Sequence, residues 1–422
     1  MSVVAENTLK FISELNPTEL EITGSALHLA KAALENTPLP TTRVEAWKYT
    51  RVSKIGKTNF VNTKQSIASL EGFTVIDSPN TFVFVNGHFS EELSSKEIPT
   101  GIQVKPFSQG NTVNSQMKVE NELFSALNLV YLHGGIEIEV AKKAVIDTPI
   151  QIIHVLTGEN QLANFKMNVI AGDFSQASIV QGFFTDNATN SFANCTSEIS
   201  VGVNANLTIE KIQNEQSGNF HIGTDQVTQG KDSTFTINTM TLDGGFVRNN
   251  LNISVDGKNC TTNLNGAYLL KDKQHVDNHT VVDHTVPNCN SNELYKGVVD
   301  ENATAIFNGK VFVRKDAQII NAFQSNRNVL LSDNATVNSK PELEIYADDV
   351  KCSHGSTTGQ LDDDAIYYLQ ARGLSKRAAT QLLVSAFITE VIDHVKNESV
   401  KSFIYNRLNE RFGWDINPED FG

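Results

Sequence analysis

The densest group of residues that could do chemistry lies in the segment 340–359, where Cys352 and His354 are separated by a single serine. Apolar residues alternate with polar ones over 343–347, which predicts a β-strand. If the extended conformation continues, Cys352 and His354 point to the same side and lie about 7 Å apart along the chain. A thiol and an imidazole on one face could share a soft or borderline metal ion, or could act as nucleophile and base.

Two side chains do not complete a site for zinc or for an iron–sulfur cluster, each of which takes up to about four protein ligands. Further ligands would have to come from elsewhere in the chain or from a partner protein. The structural alternative is a tight turn in which the residues after Cys352 serve only as turn formers. The residues alone leave both interpretations open.

A second group of candidate ligands consists of His275, His279 and His284, with Asp277 and Asp283 between them. Imidazole and carboxylate groups at this spacing could bind a transition metal. On a strand, however, residues 275, 277, 279 and 283 share one face while 284 points to the other, so a three-histidine site would need a bend. The alternative is a ladder of polar side chains on the surface of a sheet.

Nucleotide hydrolysis by this chain is not predicted. The sequence Gly56-Lys57-Thr58 resembles the end of a phosphate-binding loop, but Arg51 occupies the position of its first glycine. Without that glycine the backbone nest for a phosphate cannot form. The sequence therefore excludes an ATPase of the phosphate-loop class.

The other three cysteines, Cys195, Cys260 and Cys289, are widely spaced and do not form a disulfide framework. Cys260 and Cys289 occupy a position that is usually alanine or serine in the repeat described below. Packing alone accounts for a small apolar side chain at such a position. We therefore interpret Cys260 and Cys289 as structural residues, and we favour the same interpretation for Cys195, which is out of phase with the repeat.

Composition and charge narrow the function further. The chain has 422 residues, 40% of them hydrophobic, and a net charge of −14. The apolar content is sufficient for a buried core, whereas the lack of a basic stripe argues against binding to nucleic acid or to an anionic membrane. The N-terminus has no basic segment followed by a long apolar run, and no stretch approaches about 20 apolar residues. We therefore expect a cytoplasmic protein without a membrane span.

The candidate ligands must be positioned by the middle of the chain, residues 130–352, where short β-branched runs alternate with Gly, Asn and Asp. A small pattern recurs there: Asn, Asp or Gln, then a small residue, then two strand-like positions. The small residue recurs at intervals that are mostly close to 14 or 28, at Ala177, Ala205, Ser233, Cys260, Cys289, Ala303, Ala317 and Ala335. One strand and one corner per unit are typical of a solenoid, with Asn or Asp in the left-handed conformation at the corner. We predict a mainly β protein with a β-helix core, and the alternative is a β-sandwich or jelly roll.

Helical periodicity precedes this β region. Residues 1–35 carry apolar residues at helical spacing, with an interruption at Asn16-Pro17. Residues 81–87 predict a strand that ends in an Asn-Gly turn.

Helical periodicity also returns after residue 360. We predict a helix whose first turn contains Asp362, Asp363 and Asp364, a second helix capped by Ser375, and a last helix over 398–412. The predicted organisation is an N-terminal helical region (1–85), a β-helix core (86–355) and a C-terminal helical domain (356–422).

Five stretches of the chain, spread over most of its length, resemble the SufB/SufD family of the sulfur-mobilisation system. They are residues 42–50, 275–284, 291–297, 307–310 and 340–355. The last stretch is the most specific, because the SufB branch of the family has an acidic Glu-His-Glu type of run where this chain has Cys-Ser-His-Gly. The chain is therefore identified as a member of the SufD branch.

The resemblance implies a right-handed parallel β-helix between two helical regions, and a non-ATPase scaffold function in iron–sulfur cluster assembly. It also implies a complex with a SufB-like subunit and two copies of a SufC-like ABC-type ATPase, which contacts the C-terminal helices. In the family the β-helices of the two scaffold subunits pair, and nascent clusters form at their interface. The family's interface histidine falls on His354 and its cysteine on Cys352. The resemblance thus implies a nascent cluster or iron shared with the partner, and no cofactor bound tightly by this chain alone.

The sequence leaves two other functions open. A metal-dependent carbohydrate-active β-helix enzyme, centred on residues 275–284, would need paired carboxylates in an aromatic-lined groove, and aromatic residues are only 8% of the chain. A purely structural adaptor would depend on the C-terminal helices that hold the ATPase. Strands at an open end of the solenoid could also pair with a second copy, giving a homodimer when the chain is alone. The scaffold hypothesis predicts no enzymatic activity for the isolated chain.

Overall fold

The computed structural model describes residues 10–23, 26–108, 112–120 and 122–413. This part of the chain forms two long β-sheets, one two-stranded sheet and helices at both ends. The α-helices are α1 (Ala26–Asn36), α2 (Leu123–Val130), α3 (Asp363–Ala371), α4 (Lys376–Ile392) and α5 (Glu398–Phe412). In chain order the strands are β1 (Glu21–Thr23), β2 (Thr81–Val85), β3 (His88–Phe89), β4 (Ile102–Pro106), β5 (Thr112–Asn114), β6 (Gly134–Val140), β7 (Ile150–Glu159), β8 (Leu162–Ala171), β9 (Gln176–Thr189), β10 (Phe192–Val201), β11 (Asn206–Asn214), β12 (Phe220–Gln229), β13 (Thr234–Asp243), β14 (Phe246–Val255), β15 (Thr261–Leu270), β16 (His275–His284), β17 (Asn290–Val299), β18 (Thr304–Val313), β19 (Ile320–Leu330), β20 (Thr336–Ile345) and β21 (Val350–Gln360).

From β6 onward the strands alternate between two sheets, the odd-numbered strands in a ten-stranded sheet and the even-numbered strands in a nine-stranded sheet. Each strand pairs in parallel with the strand two places later. Asn206 of β11 pairs with Thr234 of β13, and Thr261 of β15 pairs with Asn290 of β17, offsets of 28 and 29 residues. Two strands per coil at this repeat confirm the predicted β-helix. The parallel pairing rules out the alternative sandwich or jelly roll, whose strands are antiparallel.

The corners between strands follow the predicted pattern in part. The eight small residues of the repeat are all buried, which confirms that they lie inside the corners: Ala177, Ala205, Ser233, Cys260, Cys289, Ala303, Ala317 and Ala335. The preceding residue has the predicted left-handed conformation at Asn204, Asp232, Asn259 and Asn288. At the other four corners the residue before the small one is not left-handed, and at three of them a nearby residue, Phe174, Glu301 or Ile319, is left-handed instead. The expectation was wrong there, because a corner can turn at a neighbouring residue when the surrounding coils fix the backbone.

The N-terminal region is less helical than its periodicity suggests. Helix α1 confirms the predicted helical spacing, with Ala30 and Leu34 buried. Residues 21–23, however, form strand β1, which pairs in parallel with β5. A distant pairing partner overrides the local pattern here. Leu9, which belongs to the predicted helix, lies outside the described residues.

The predicted strand at residues 81–87 is confirmed. Strand β2 ends at Val85, and Asn86 and Gly87 both have positive φ before the chain returns antiparallel as β3. Positive φ at both positions is what an Asn-Gly turn supplies.

The three C-terminal helices are confirmed with the expected caps. The Asp362 side chain accepts a hydrogen bond from the Asp364 amide, and Ser375 accepts one from the Ala378 amide. Helices α4 and α5 cover the outer face of the ten-stranded sheet, where Ile388 and Leu408 join one apolar cluster with sheet residues. Among the described residues, no helix is long and apolar enough to cross a membrane.

Candidate functional site

The predicted Cys–His segment forms the last coil of the solenoid. Strand β20 ends the nine-stranded sheet and β21 ends the ten-stranded sheet. The chain turns between Ile345 and Val350, so Cys352 and His354 lie at the start of a second strand and not at the end of the strand that was predicted from residue 340. The alternative of a tight turn at these residues is wrong, because both belong to β21.

The register of β21 shows where its side chains point. Cys352 pairs with Ala322 and His354 pairs with Gln324, and both partners are buried inside the solenoid. Residues paired in register on parallel strands point to the same face, so Cys352 and His354 face the interior. Ser356 faces the interior too, because its hydroxyl lies 2.7 Å from Ser339 Oγ on β20. We call Cys352, His354, Ser356 and Ser339 the mouth of the solenoid.

The mouth offers a thiol and an imidazole at an open end. Cys352 is half-buried beside the core, and burial raises the pKa of its thiol. His354 is exposed and makes no side-chain hydrogen bond within the described residues. In the same part of the chain, no three His, Cys, Asp or Glu side chains are grouped so as to hold a metal ion. The mouth therefore has two free soft or borderline ligands, which is half of a typical site.

Two buried polar residues that the sequence reasoning missed lie below the mouth. Gln324 is the partner of His354, and Glu293 is the partner of Gln324 one coil further in. Glu293 accepts hydrogen bonds from Gln324 Nε2 at 2.7 Å and from the Thr280 hydroxyl at 2.5 Å. Burial raises the pKa of Glu293 to about 7. Gln324 lies one coil before His354 and Glu293 lies two coils before it, a spacing that identifies these residues only when the strand register is known.

The three candidate histidines of β16 do not converge. His275 and His279 lie on the outer face of the nine-stranded sheet, whereas His284 points inward and contacts Ser291 Oγ at 2.9 Å. Burial lowers the pKa of His284 to about 4. Strand alternation predicted that His284 lies on the opposite face from His275 and His279. Strand β16 runs from His275 to His284 without a bend that would bring the three rings together.

One outer histidine, His279, instead belongs to a buried contact that we call the clasp, formed by Trp47, Thr50, Arg248, Asp277 and His279, and His275 Nε2 lies 3.0 Å from the Thr50 hydroxyl at its edge. The Arg248 guanidinium stacks 3.8 Å from the Trp47 ring centroid and donates to Asp277. The Thr50 hydroxyl also donates to Asp277, and His279 Nε2 lies 2.9 Å from the same carboxylate. Burial alone would raise the pKa of Asp277, but Arg248 and His279 outweigh it and hold this pKa well below its usual range. The clasp thus joins the N-terminal segment to strands β14 and β16.

The remaining cysteines are buried inside the solenoid. Cys260 and Cys289 occupy adjacent corners, and both thiols donate to the Gly257 carbonyl, at 3.0 and 3.3 Å. Cys195 lies in β10, where burial raises the pKa of its thiol. All three are free thiols packed in the interior, as the structural interpretation expects.

Comparison with known proteins assigns the chain to a family. Residues 154–387 match the family model of the SUF system FeS cluster assembly SufBD core domain, and residues 20–152 match that of the SufBD protein N-terminal region. An iron–sulfur cluster assembly SufBD family protein of Synechocystis is 31% identical, over 86% of this chain and 85% of that protein. The iron–sulfur cluster assembly protein SufD of Escherichia coli is 28% identical over 90% of each chain. SufD of Bacillus subtilis is 26% identical over 70% of this chain and 68% of its own.

The core-domain match alone spans more than half of the chain, and it covers the coils from the middle of β7 onward together with helix α3 and most of α4. The N-terminal match covers most of the remainder, including the segment that carries Trp47 and Thr50. The chain belongs to the SufBD family of iron–sulfur cluster assembly proteins.

Proposed function

We propose that this chain is a non-ATPase scaffold subunit that pairs with a SufB-like subunit at its mouth and contributes His354, with Cys352, to a nascent iron–sulfur cluster or iron ion. The observation that carries the proposal is that two ligand side chains, Cys352 and His354, face the interior of the last coil, which no further coil of the described chain covers. An iron–sulfur cluster takes up to about four protein ligands, so the remainder would come from the partner.

The edges of the last coil support pairing with another β-helix. Strands β20 and β21 end their sheets, and β21 exposes most of its 11 residues. An exposed edge of this length is a template for another strand. A SufB-like β-helix placed against it would continue both sheets and bring its own side chains to the mouth. A second copy of this chain is the competing occupant when no partner is present.

The C-terminal helices support docking of an ABC-type ATPase. Helix α3 packs on α4 and presents Tyr367 and Tyr368 to solvent with 74% and 55% of their surface exposed. Leu382 on α4 is also partly exposed. Aromatic side chains of this kind are enriched in protein interfaces. The ATPase would supply the phosphate loop that this chain lacks.

The test is co-expression with a SufB-like subunit and an ABC-type ATPase, followed by anaerobic iron and sulfide analysis of the purified complex. We expect His354→Ala to lower the iron and sulfide content about tenfold while the subunits still co-purify. The matched control is His28→Ala, which removes an exposed histidine on α1 and should change nothing. Unchanged iron and sulfide in His354→Ala would remove this histidine from the site.

The purely structural adaptor predicts a different outcome. Deletion of residues 360–422 would then abolish cluster assembly, whereas the double variant Cys352→Ser with His354→Ala would retain it. The scaffold proposal expects both changes to lower the cluster yield, the deletion through lost ATPase and the double variant through lost ligands.

A further inference from the structure

Directly beneath His354 the solenoid interior carries two polar side chains in one column. Gln324 is paired in register with His354, and Glu293 is paired in register with Gln324. Gln324 is 3% exposed and Glu293 is 5% exposed. The next residue of the column is the apolar Leu264. The polar part of the column is therefore confined to the two coils below the mouth.

Glu293 fixes the orientation of the Gln324 amide. Glu293 Oε2 accepts a hydrogen bond from Gln324 Nε2 at 2.7 Å, while Glu293 Oε1 is taken by the Thr280 hydroxyl. At pH 8, above its pKa of about 7, the Glu293 carboxylate is mostly ionised and can only accept hydrogen bonds, so the amide must turn its nitrogen toward Glu293 and its oxygen away.

The amide oxygen that results is an acceptor without a donor. Gln324 Oε1 is buried and has no hydrogen-bond partner within the described part of the chain. Buried polar atoms without a hydrogen-bond partner are rare in folded proteins, so this oxygen requires an explanation. The nearest coil above is that of His354, whose ring also has no hydrogen-bond partner among the described residues.

Space for the amide is reserved by a glycine on the facing strand. A Cβ added at Gly309 of β18 would lie 2.1 Å from Gln324 Nε2 and 2.8 Å from Phe307 Cζ. Even alanine at this position would therefore overlap the amide. The local sequence of β18 is compatible with Gln324 lying in the interior.

We propose that Gln324 is a positioning residue for His354, with its Oε1 accepting an N–H of the imidazole and Glu293 holding the amide in place. The other ring nitrogen then carries the lone pair and faces out of the mouth. Metal-binding histidines commonly donate their second nitrogen to such an acceptor, which sets the tautomer and the ring orientation. This inference rests on the proposed function, in which His354 is a ligand.

The tautomer of His354 tests the positioning without any cluster. The full chain, labelled with ¹⁵N-histidine, is measured at pH 8 by long-range ¹H–¹⁵N NMR, and His354→Ala identifies the signal. We expect the tautomer ratio of His354 to change on the order of fivefold in Gln324→Met, because one hydrogen bond is lost. The control is Gln181→Met, which removes another buried glutamine with an unpartnered Oε1 at the far end of the solenoid. An unchanged ratio in a folded Gln324→Met would overturn the positioning role.

A second variant covers the case in which Gln324→Met does not fold. Glu293→Gln keeps the size of the side chain but no longer dictates which way the Gln324 amide turns. We expect a shift of the His354 tautomer ratio in the same direction and of smaller size, and an unchanged ratio contradicts the proposal.

Iron retention in the complex separates the two proposals. Gln324→Met should lower it about tenfold, as the loss of a partner that orients a ligand typically does. If the tautomer ratio responds but His354→Ala retains iron, Gln324 positions His354 and the proposed function is wrong. If the ratio does not respond, the positioning is wrong whatever the iron content.

Discussion

Replacing Arg248 by methionine should destabilise the attachment of the N-terminal segment, because it leaves Asp277 buried without its cation. Asp277 is 1% exposed and Arg248 is 3% exposed. Breaking a buried pair by removing one partner costs about 3–5 kcal/mol. The Thr50 hydroxyl and His279 still contact the carboxylate in the variant, so we expect the lower end, about 3 kcal/mol.

The assay is urea unfolding followed by tryptophan fluorescence. Trp47 lies against the Arg248 guanidinium, so its emission should report the release of the clasp. The control is Arg327→Met, because Arg327 is half-exposed and pairs with the half-exposed Glu390. An exposed pair of this kind contributes about 1 kcal/mol or less.

The pH dependence gives the sharper test. In the wild type the folded pKa of Asp277 lies below its unfolded value of about 3.9. Its stabilising contribution is therefore complete above about pH 4 and is lost as the pH falls through the folded pKa. In Arg248→Met the guanidinium no longer offsets the effect of burial, which raises the pKa of Asp277. This pKa should therefore rise above its unfolded value. The free-energy cost of the buried, ionised Asp277 is then full at high pH, and protonation of this carboxylate relieves it as the pH falls.

We therefore expect the difference in unfolding free energy between wild type and Arg248→Met to shrink between pH 8 and pH 5. An equal loss at both pH values would refute the buried charge as the cause. The effect would then be due to lost packing of the arginine stem and the Trp47 ring.

Two further predictions concern the contact between the solenoid and its C-terminal helices. Lys296 is buried, contacts the Glu390 carboxylate and donates to the Phe387 carbonyl at 2.7 Å, so Lys296→Met should cost about 1–3 kcal/mol and speed proteolysis of α4; an unchanged cleavage rate would contradict this. Burial raises the pKa of Glu210 to about 7, although the Asn238 amide and the Lys396 backbone hydrogen-bond to its carboxylate. Because this folded pKa exceeds the unfolded value of about 4.3, stability should be lost as the pH rises from about 4 to about 7. Glu210→Gln should reduce the slope of unfolding free energy against pH in that range by about one proton, as measured by urea unfolding, and an undiminished slope would count against it.

The features of the fold that could be predicted from the sequence are those that repeat along the chain and those that depend on neighbouring residues. The coil period follows from the small corner residues, since each coil must place one where neighbouring corners crowd. The C-terminal helices follow from their caps at Asp362 and Ser375 and from their apolar spacing. The common face of Cys352 and His354 could be predicted from strand alternation, although the two residues lie on β21 and not on the strand predicted from residue 340.

What could not be predicted depends on contacts between distant segments. Trp47 and Arg248 are about 200 residues apart in sequence, and no local pattern connects them. Strand β1 forms because a partner strand some 90 residues later is available. The turn between β20 and β21 could not be predicted, because Ala347 continues the apolar alternation of the preceding strand into the corner.

The distribution of polar residues inside the solenoid bears on where its function lies. In the column that ends at His354 five apolar residues precede three polar ones: Ile150, Ile179, Ile209, Ile237, Leu264, Glu293, Gln324 and His354. Buried polar groups cost stability unless they are fully paired, and Gln324 Oε1 is not. A solenoid selected for stability alone would continue the aliphatic stack to its end. In this column the polar residues begin two coils below the open end, so the free energy that they cost is placed directly beneath one of the two side chains proposed to hold iron.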